Sequence, residues 1–327
     1  MTTRDSNPLP HADGQDAAPK ILVVGTGAIG GFYGAKLSQA GAHVAVVCRS
    51  DFERVRDQGI DIQSIGGNFK FVPEQVVRHP EEYQGVPDFV LVAVKVLPEV
   101  KAVDLVRPVM GPHTAIVLIQ NGLFIEKPFL EAFPSHEIIS CLAFIAVRRT
   151  GPGQVTHQDY GRLALGNYPE GASSKVALLS QWFQKSGIEC QVVSQVERSR
   201  WQKLVWNAAF NPVSVLGGAL DTESMLGQSE LRELLIRAMG EVLGLAEVGG
   251  HEFPQSMIQQ NLDATLSMKP FKTSMLVDFE AGRPMEVEAI LGNAVRFAKE
   301  KSVPVPVLES LYALILSVDR VGRKNQA

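Results

Sequence analysis

The amino-acid sequence predicts an α/β chain in two parts, an N-terminal domain built on a mostly parallel sheet and a C-terminal domain made only of helices. Three observations predict it. Residues 21–24 and 43–47 are short apolar runs that flank a glycine-rich turn and a helical stretch, the pattern of a β-α-β unit. After Ser194 the apolar residues recur with helical periodicity to the end. Within that second part, the segment RSRWQKLVWNAAFNP places Lys203, Asn207 and Asn211 at successive steps of four among apolar neighbours. Each step of four drifts by only about 40° around a helix. One ammonium and two carboxamides therefore share a stripe, flanked by Trp201, Leu204, Val205, Trp206, Ala208 and Phe210, which should bury. Such a stripe has to meet a cavity, another domain or a ligand, because buried polar groups without partners are costly.

With 327 residues the chain is long enough for two domains. The first 19 residues lack the apolar core of a secretory signal and are expected to be a disordered tail. This gives a tail at 1–19, a dinucleotide-binding domain at 20–193 and a helical substrate domain at 194–320. Net charge is −4 and no run of Lys or Arg suggests a nucleic-acid partner, which leaves small-molecule chemistry. No apolar run approaches the roughly 20 residues of a membrane-spanning helix. Cys48, Cys141 and Cys190 are odd in number and widely spaced, so no disulfide framework or zinc knuckle is expected, and a reducing cytoplasmic setting fits. The seven histidines show no metal-ligand spacing and are assigned structural or surface roles.

Taken in order, the first strand at 21–24 runs into Gly25, Thr26, Gly27, Ala28, Ile29 and Gly30, a G-x-G-x-x-G turn that opens a helix closed by Gly41. In this context the pattern is a dinucleotide fingerprint: Gly25 permits the turn, Gly27 lets a pyrophosphate approach, and Gly30 lets helix and strand lie close. The domain is thus Rossmann-type. At the end of the second strand, 19 positions beyond Gly30, stands Arg49 instead of an acidic residue. An arginine there holds a 2′-phosphate, so NADP(H) is expected over NAD(H). A helix then leads to a hairpin at 60–72 around Gly66-Gly67-Asn68. Buried strands at 88–94 and 114–119 end in Lys95 and in Gln120-Asn121-Gly122, which places Lys95 and Asn121 at carboxyl strand ends, where ligands of α/β sheets gather. Residues 138–166 read as an antiparallel extension, followed by a helix at 174–186 and a strand at 189–193. Beyond the polar stripe, apolar spacings predict helices ending at Gly249-Gly250, across 287–298 and across 304–318. Their apolar stripes are compatible with a monomer or a homodimer.

GTGAIG, VKVLP, QNG, WQKLVWNAAFNP and KTSMLVDFEAGRPMEVEAI together resemble the ketopantoate reductase (2-dehydropantoate 2-reductase) family, from about Lys20 to Val318. The resemblance implies NADPH-dependent reduction of a 2-oxo acid, ketopantoate to pantoate, on the route to pantothenate and coenzyme A. It implies that Lys203 is the catalytic lysine and Glu286 the acid supporting it. Asn207, Asn211 and Ser274 match substrate-binding positions, Lys95 and Asn121 line the nicotinamide and substrate cleft, and Arg49 meets the 2′-phosphate. Met285 and Glu288 stand where the family commonly has Thr and Asp, which is expected to alter the neighbourhood of Glu286. The chemistry agrees. Hydride delivered to a ketone leaves charge on oxygen, which needs a positioned proton donor. Lys203 can be that donor, Asn207, Asn211 and Ser274 can hydrogen-bond the substrate, and Glu286 would orient Lys203 and favour its charged form. Glu280 and Arg283 are expected to form a structural turn or ion pair around Gly282, with Asp278 capping or bracing locally. Two other readings are a reductase of another branched 2-oxo acid or an imine, and a non-catalytic NADP(H)-binding regulator. The intact set of Lys203, Asn207, Ser274 and Glu286 argues against the second.

Overall fold

The computed structural model describes residues 18–324; the expected disordered tail, apart from Ala18 and Pro19, lies outside the described residues. Strand β1 (Lys20–Val24), helix α1 (Ala28–Gln39) and β2 (His43–Val47) form the expected first unit, with β1 and β2 parallel. Helix α2 (Phe52–Gln58) leads to β3 (Ile60–Ser64), β4 (Phe69–Phe71) and β5 (Gln75–Val77), with β3 and β4 paired as the expected hairpin. Next come β6 (Phe89–Val92), α3 (Ala102–Val106), β7 (Ala115–Leu118), α4 (Lys127–Ala132), and the long antiparallel pair β8 (Ile138–Gly151) and β9 (Gln154–Asn167). Helix α5 (Ser174–Lys185) and β10 (Cys190–Val192) complete this part.

All ten strands join one sheet in the order β4-β3-β9-β8-β7-β6-β1-β2-β5, with β10 beside β9. From β8 through β5 the pairing is parallel, and strands such as Phe89-Val-Leu-Val and Ala115-Ile-Val-Leu are buried along their length because both faces are covered. One face packs on Phe32, Tyr33, Val176 and Phe183 of α1 and α5, the other on Val106, Phe129 and Phe133. The chain turns one way from β1 to β2 and the other way to β6. The cleft between the carboxyl ends of β1 and β6 is therefore the topological switch point.

The remainder is helical: α6 (Val196–Leu216), α7 (Thr222–Leu226), α8 (Ser229–Val248), α9 (Ser256–Ser267), α10 (Ser274–Glu280), α11 (Asn293–Glu300) and α12 (Pro306–Lys324). Their core joins Trp201, Val205 and Phe210 to Met239, Val242, Leu291 and Leu308. Of the flanking residues expected to bury on α6, Trp206 is only partly covered; its ring stacks on Phe210 and its indole N–H donates to Thr265 Oγ1 at 3.0 Å. The helix expected across 287–298 opens differently. Residues Glu288–Gly292 form a π-turn before α11 begins. Helical periodicity alone does not separate the two, since an i→i+5 turn only widens the repeat locally.

Candidate active site

The glycine turn is built for close approach. Gly25 has φ +100° and a Cβ there would lie 2.6 Å from Val94 N, whereas a Cβ on Gly30 would meet Gly25 O at 2.2 Å. At Gly27 a Cβ would meet nothing within 4 Å, so that side of the turn is open to a ligand. The Thr26 hydroxyl donates to Val47 O at 2.7 Å and ties the turn to the end of β2. Ala28 and Ile29 start α1, whose first amides face the opening, the arrangement that favours a phosphate. Arg49 is exposed just beyond β2.

At the other side of the switch point, α6 brings Lys203 to the carboxyl end of β7. Its ammonium donates to Asn121 Oδ1 at 3.0 Å and to Ala143 O of β8 at 2.7 Å. Asn121 Nδ2 donates to Glu286 Oε2 at 3.2 Å, and Glu286 Oε1 accepts from Val96 N–H at 3.0 Å. The amide orientation follows from chemistry: a lysine only donates and an ionised carboxylate only accepts, so Asn121 must turn its oxygen to one and its nitrogen to the other. Glu286 thus reaches Lys203 through the bridging amide of Asn121. Asn207, one turn on, borders the same cavity of about 10 Å³ together with Lys203, Asn121 and Leu142. That is room for about one water-sized group.

Burial is the main influence on both ionisable groups. It pulls the Lys203 ammonium down to about 8, with the Arg200 charge adding to the effect and the Glu286 carboxylate opposing it. Burial also raises Glu286 above the usual carboxylate value, against the hydrogen bonds from Val96 and Asn121 and the charge of Lys95.

Other expected residues sit farther out. Asn211 is 1% exposed, and neither polar atom of its side chain has a partner among the described residues. Ser274 is exposed at the start of α10, where Thr273 caps the helix and bonds Ser214 of α6 at 2.7 Å. Lys95 points across the cleft: it pairs with Asp278 at 2.6 Å and donates to Pro284 O at 2.9 Å. Arg283 bonds the other oxygen of Asp278 at 3.0 Å, whereas Glu280 pairs with Lys272, so Asp278 braces two cations. Met285 is buried and its N–H donates to Asp319 at 2.8 Å, while Glu288 accepts from Tyr312 and Arg296. Both changes from the family pattern are therefore committed to packing against α11 and α12 and do not enter the cleft. A groove of about 270 Å³ bordered by Lys20, His43 and Glu74 lies at the amino ends of β1 and β2, the wrong end of the sheet for a ligand of this fold.

Sequence reasoning missed a buried network beneath the site. Arg200, 4% exposed, pairs with Glu126, which is fully buried, and donates to Ser140 Oγ at 2.8 Å and to the carbonyls of Gln120 and Gly122 at 2.8 and 3.1 Å. The available signal was a charged residue three positions before Lys203, on the same helical face as the polar stripe.

Comparison with known proteins identifies the family. The family description "Ketopantoate reductase PanE/ApbA" matches residues 21–170, and "Ketopantoate reductase PanE/ApbA C terminal" matches 195–319. A 2-dehydropantoate 2-reductase from Nostoc sp. is 35% identical over 94% of this chain and 97% of its own. The crystal structure of 2-dehydropantoate 2-reductase from Methylococcus capsulatus is 48% identical and superposes with a TM-score of 0.87 over 92% of this chain and 97% of its own. A structure of D-mandelate dehydrogenase, 19% identical over 93% of this chain and 99% of its own, shares the fold alone, at a TM-score of 0.85. The chain belongs to the ketopantoate reductase family, a family of oxidoreductases that use a nicotinamide dinucleotide.

Proposed function

We propose that the protein reduces 2-dehydropantoate (ketopantoate) to pantoate with NADPH, a step toward pantothenate and coenzyme A, with Lys203 as general acid. The observation that carries this reading is the Lys203–Asn121–Glu286 chain of hydrogen bonds at the carboxyl ends of β6 and β7, beside an open glycine turn. Residues 20–193 hold the cofactor and 194–320 the substrate. The turn from Gly25 to Gly30 and the first amides of α1 receive the pyrophosphate, Arg49 the 2′-phosphate, and Lys95 and Asn121 border the nicotinamide end. The bound cofactor supplies the hydride. As the substrate's C=O becomes C–O, Lys203 Nζ gives its proton to that oxygen, and solvent restores it. Asn121 holds the ammonium in place and Glu286 favours its charged form. Asn207, Asn211 and Ser274 supply donors and acceptors to the substrate's hydroxyl and carboxylate; for Asn211 this would satisfy an amide that is otherwise unpaired.

The test is steady-state NADPH oxidation with ketopantoate beside a panel of other branched 2-oxo acids, run on the wild type and on Lys203→Ala. Ketopantoate should give the highest kcat/KM, and Lys203→Ala should lower kcat by at least about 10²-fold while NADPH still binds. A better substrate in the panel replaces ketopantoate, and near-normal turnover in the variant removes Lys203 from the mechanism. Tight NADPH binding without turnover on any substrate would favour a regulator.

A further inference from the structure

We infer that Arg200 is the positioning residue of this site: its buried guanidinium clamps the peptide units on both sides of Asn121, so that the carboxamide is held between Lys203 and Glu286. One nitrogen, Nη1, donates to Gln120 O at 2.8 Å and to Gly122 O at 3.1 Å, the carbonyls just before and just after Asn121. Nη2 reaches Leu118 O at 3.4 Å, and Nε donates to Ser140 Oγ at 2.8 Å. Ser140 Oγ in turn donates to Glu126 Oε1 at 2.7 Å, and Glu126 supplies the counter-charge. A planar fork with five fixed donors can serve Ser140 and the carbonyls of Leu118, Gln120 and Gly122 together; an ammonium, with three donors on one atom, cannot. From the opposite side, Leu123 N–H donates to Ala289 O at 3.0 Å and Asn293 Nδ2 to Leu123 O at 2.6 Å, so the loop is gripped between α6 and the π-turn.

The arrangement works because clamp and proton donor share one rigid element. Arg200 lies three residues before Lys203, on the same face of α6. The distance from Lys203 Nζ to Asn121 is therefore set within a single helical turn, although the two residues are far apart in sequence. Arg200 also acts by charge. The charged and titratable groups facing Lys203 are Arg200 on its own helix, Glu286 from the segment before the π-turn, Cys141 from β8 and Arg162 from β9. Burial raises the Cys141 thiol, which stays neutral around pH 8.

This inference rests on Lys203 being the proton donor, so its test includes a readout that does not need turnover. In protein labelled with 13C at lysine Cε, the Lys203 resonance, assigned by its loss in Lys203→Arg, gives the titration midpoint of that amine directly. Two variants are compared with the wild type, each checked for folding by urea denaturation. Arg200→Lys keeps the charge and loses the fork. Arg200→Met combined with Glu126→Gln removes both charges without stranding either. Both should lower kcat by at least about tenfold through misplacement of Asn121. The Lys203 midpoint should stay low in Arg200→Lys and move up in the double variant. Where Lys203→Ala itself lowers turnover, a folded Arg200 variant that keeps kcat within about twofold of wild type overturns the inference. So does an unmoved midpoint in the double variant. Stability loss with unchanged kcat is the outcome of a purely structural ion pair and also overturns it. If the double variant does not fold, kcat of Arg200→Lys alone decides. A shifted midpoint in an enzyme that never depended on Lys203 would leave the clamp standing and sink the catalytic reading.

Discussion

Raising the pH through 8 should switch the reduction off. Lys203 must be protonated to give its proton, and burial brings its midpoint down from 10.5 to about 8. The kcat/KM for the 2-oxo acid at saturating NADPH is then flat on the acid side of this midpoint and falls above it. With a midpoint of about 8, the protonated fraction drops from about nine-tenths at pH 7 to about one-tenth at pH 9, a loss of about tenfold. A lysine at its ordinary value would lose only about 3% over the same interval. Oxidation of the 2-hydroxy acid needs the free amine and should rise through the same midpoint. The Glu286 charge favours the ammonium, so Glu286→Gln should move the limb to lower pH as well as slow the reaction. The assay is initial-rate NADPH oxidation across pH 6 to 10 in buffers of constant ionic strength. A reduction profile that is level between pH 7 and 9, or a Glu286→Gln limb displaced to higher pH, would refute the argument that a buried lysine is the acid.

Four further variants address the cofactor turn and the loop. Arg49→Ala should raise the dissociation constant for NADPH by about 10- to 100-fold, the loss of one charged hydrogen bond, and leave that for NADH nearly unchanged, as read by fluorescence titration; equal loss for both would take Arg49 away from the 2′-phosphate. Gly27→Ala should keep wild-type stability, since its Cβ meets nothing within 4 Å, yet weaken cofactor binding at least about tenfold. Gly30→Ala should instead lose about 2 kcal/mol or more in urea denaturation, because its Cβ would strike Gly25 O. Gly122→Ala places a Cβ 2.6 Å from that of Ala289 at a residue with φ +111°, and should cost at least about 2 kcal/mol by the same measurement.

What the sequence revealed was whatever local spacing could carry. The turn from Gly25 to Gly30 was legible because strand, turn and helix follow one another within twenty residues. The stripe of Lys203 and Asn207 was legible because one helix writes it at a fixed interval. Partners brought in from other elements were legible only through strand-end placement and the family resemblance, which supplied Asn121 and Glu286 without the hydrogen bonds that join them. Lys203 meets Asn121 across 82 positions and Ala143 across 60, and Asn121 meets Glu286 across 165. No periodicity encodes such distances, and one of the acceptors is a backbone carbonyl with no residue identity at all. Lys95 was placed at the carboxyl end of its strand, yet its pairing with Asp278 depends on where α10 lies relative to the segment after β6. The π-turn was invisible for a different reason. Val287, Ile290, Leu291 and Ala294 satisfy an apolar helical pattern whether the turn holds four residues or five.

That extra residue between Glu286 and α11 amounts to a one-residue insertion tolerated inside a helix. Deleting a single residue is ordinarily among the harshest edits a helix can receive, since everything beyond it rotates by about 100°. Within Glu288–Gly292 the same deletion would regularise the backbone. It would also turn Ala289 O away from Leu123 N–H and release one side of the loop that carries Asn121. The shortened chain should keep its helices and lose its aim: a protein easier to fold in that turn, with the lysine in place and the loop of the amide it addresses gripped from the Arg200 side alone.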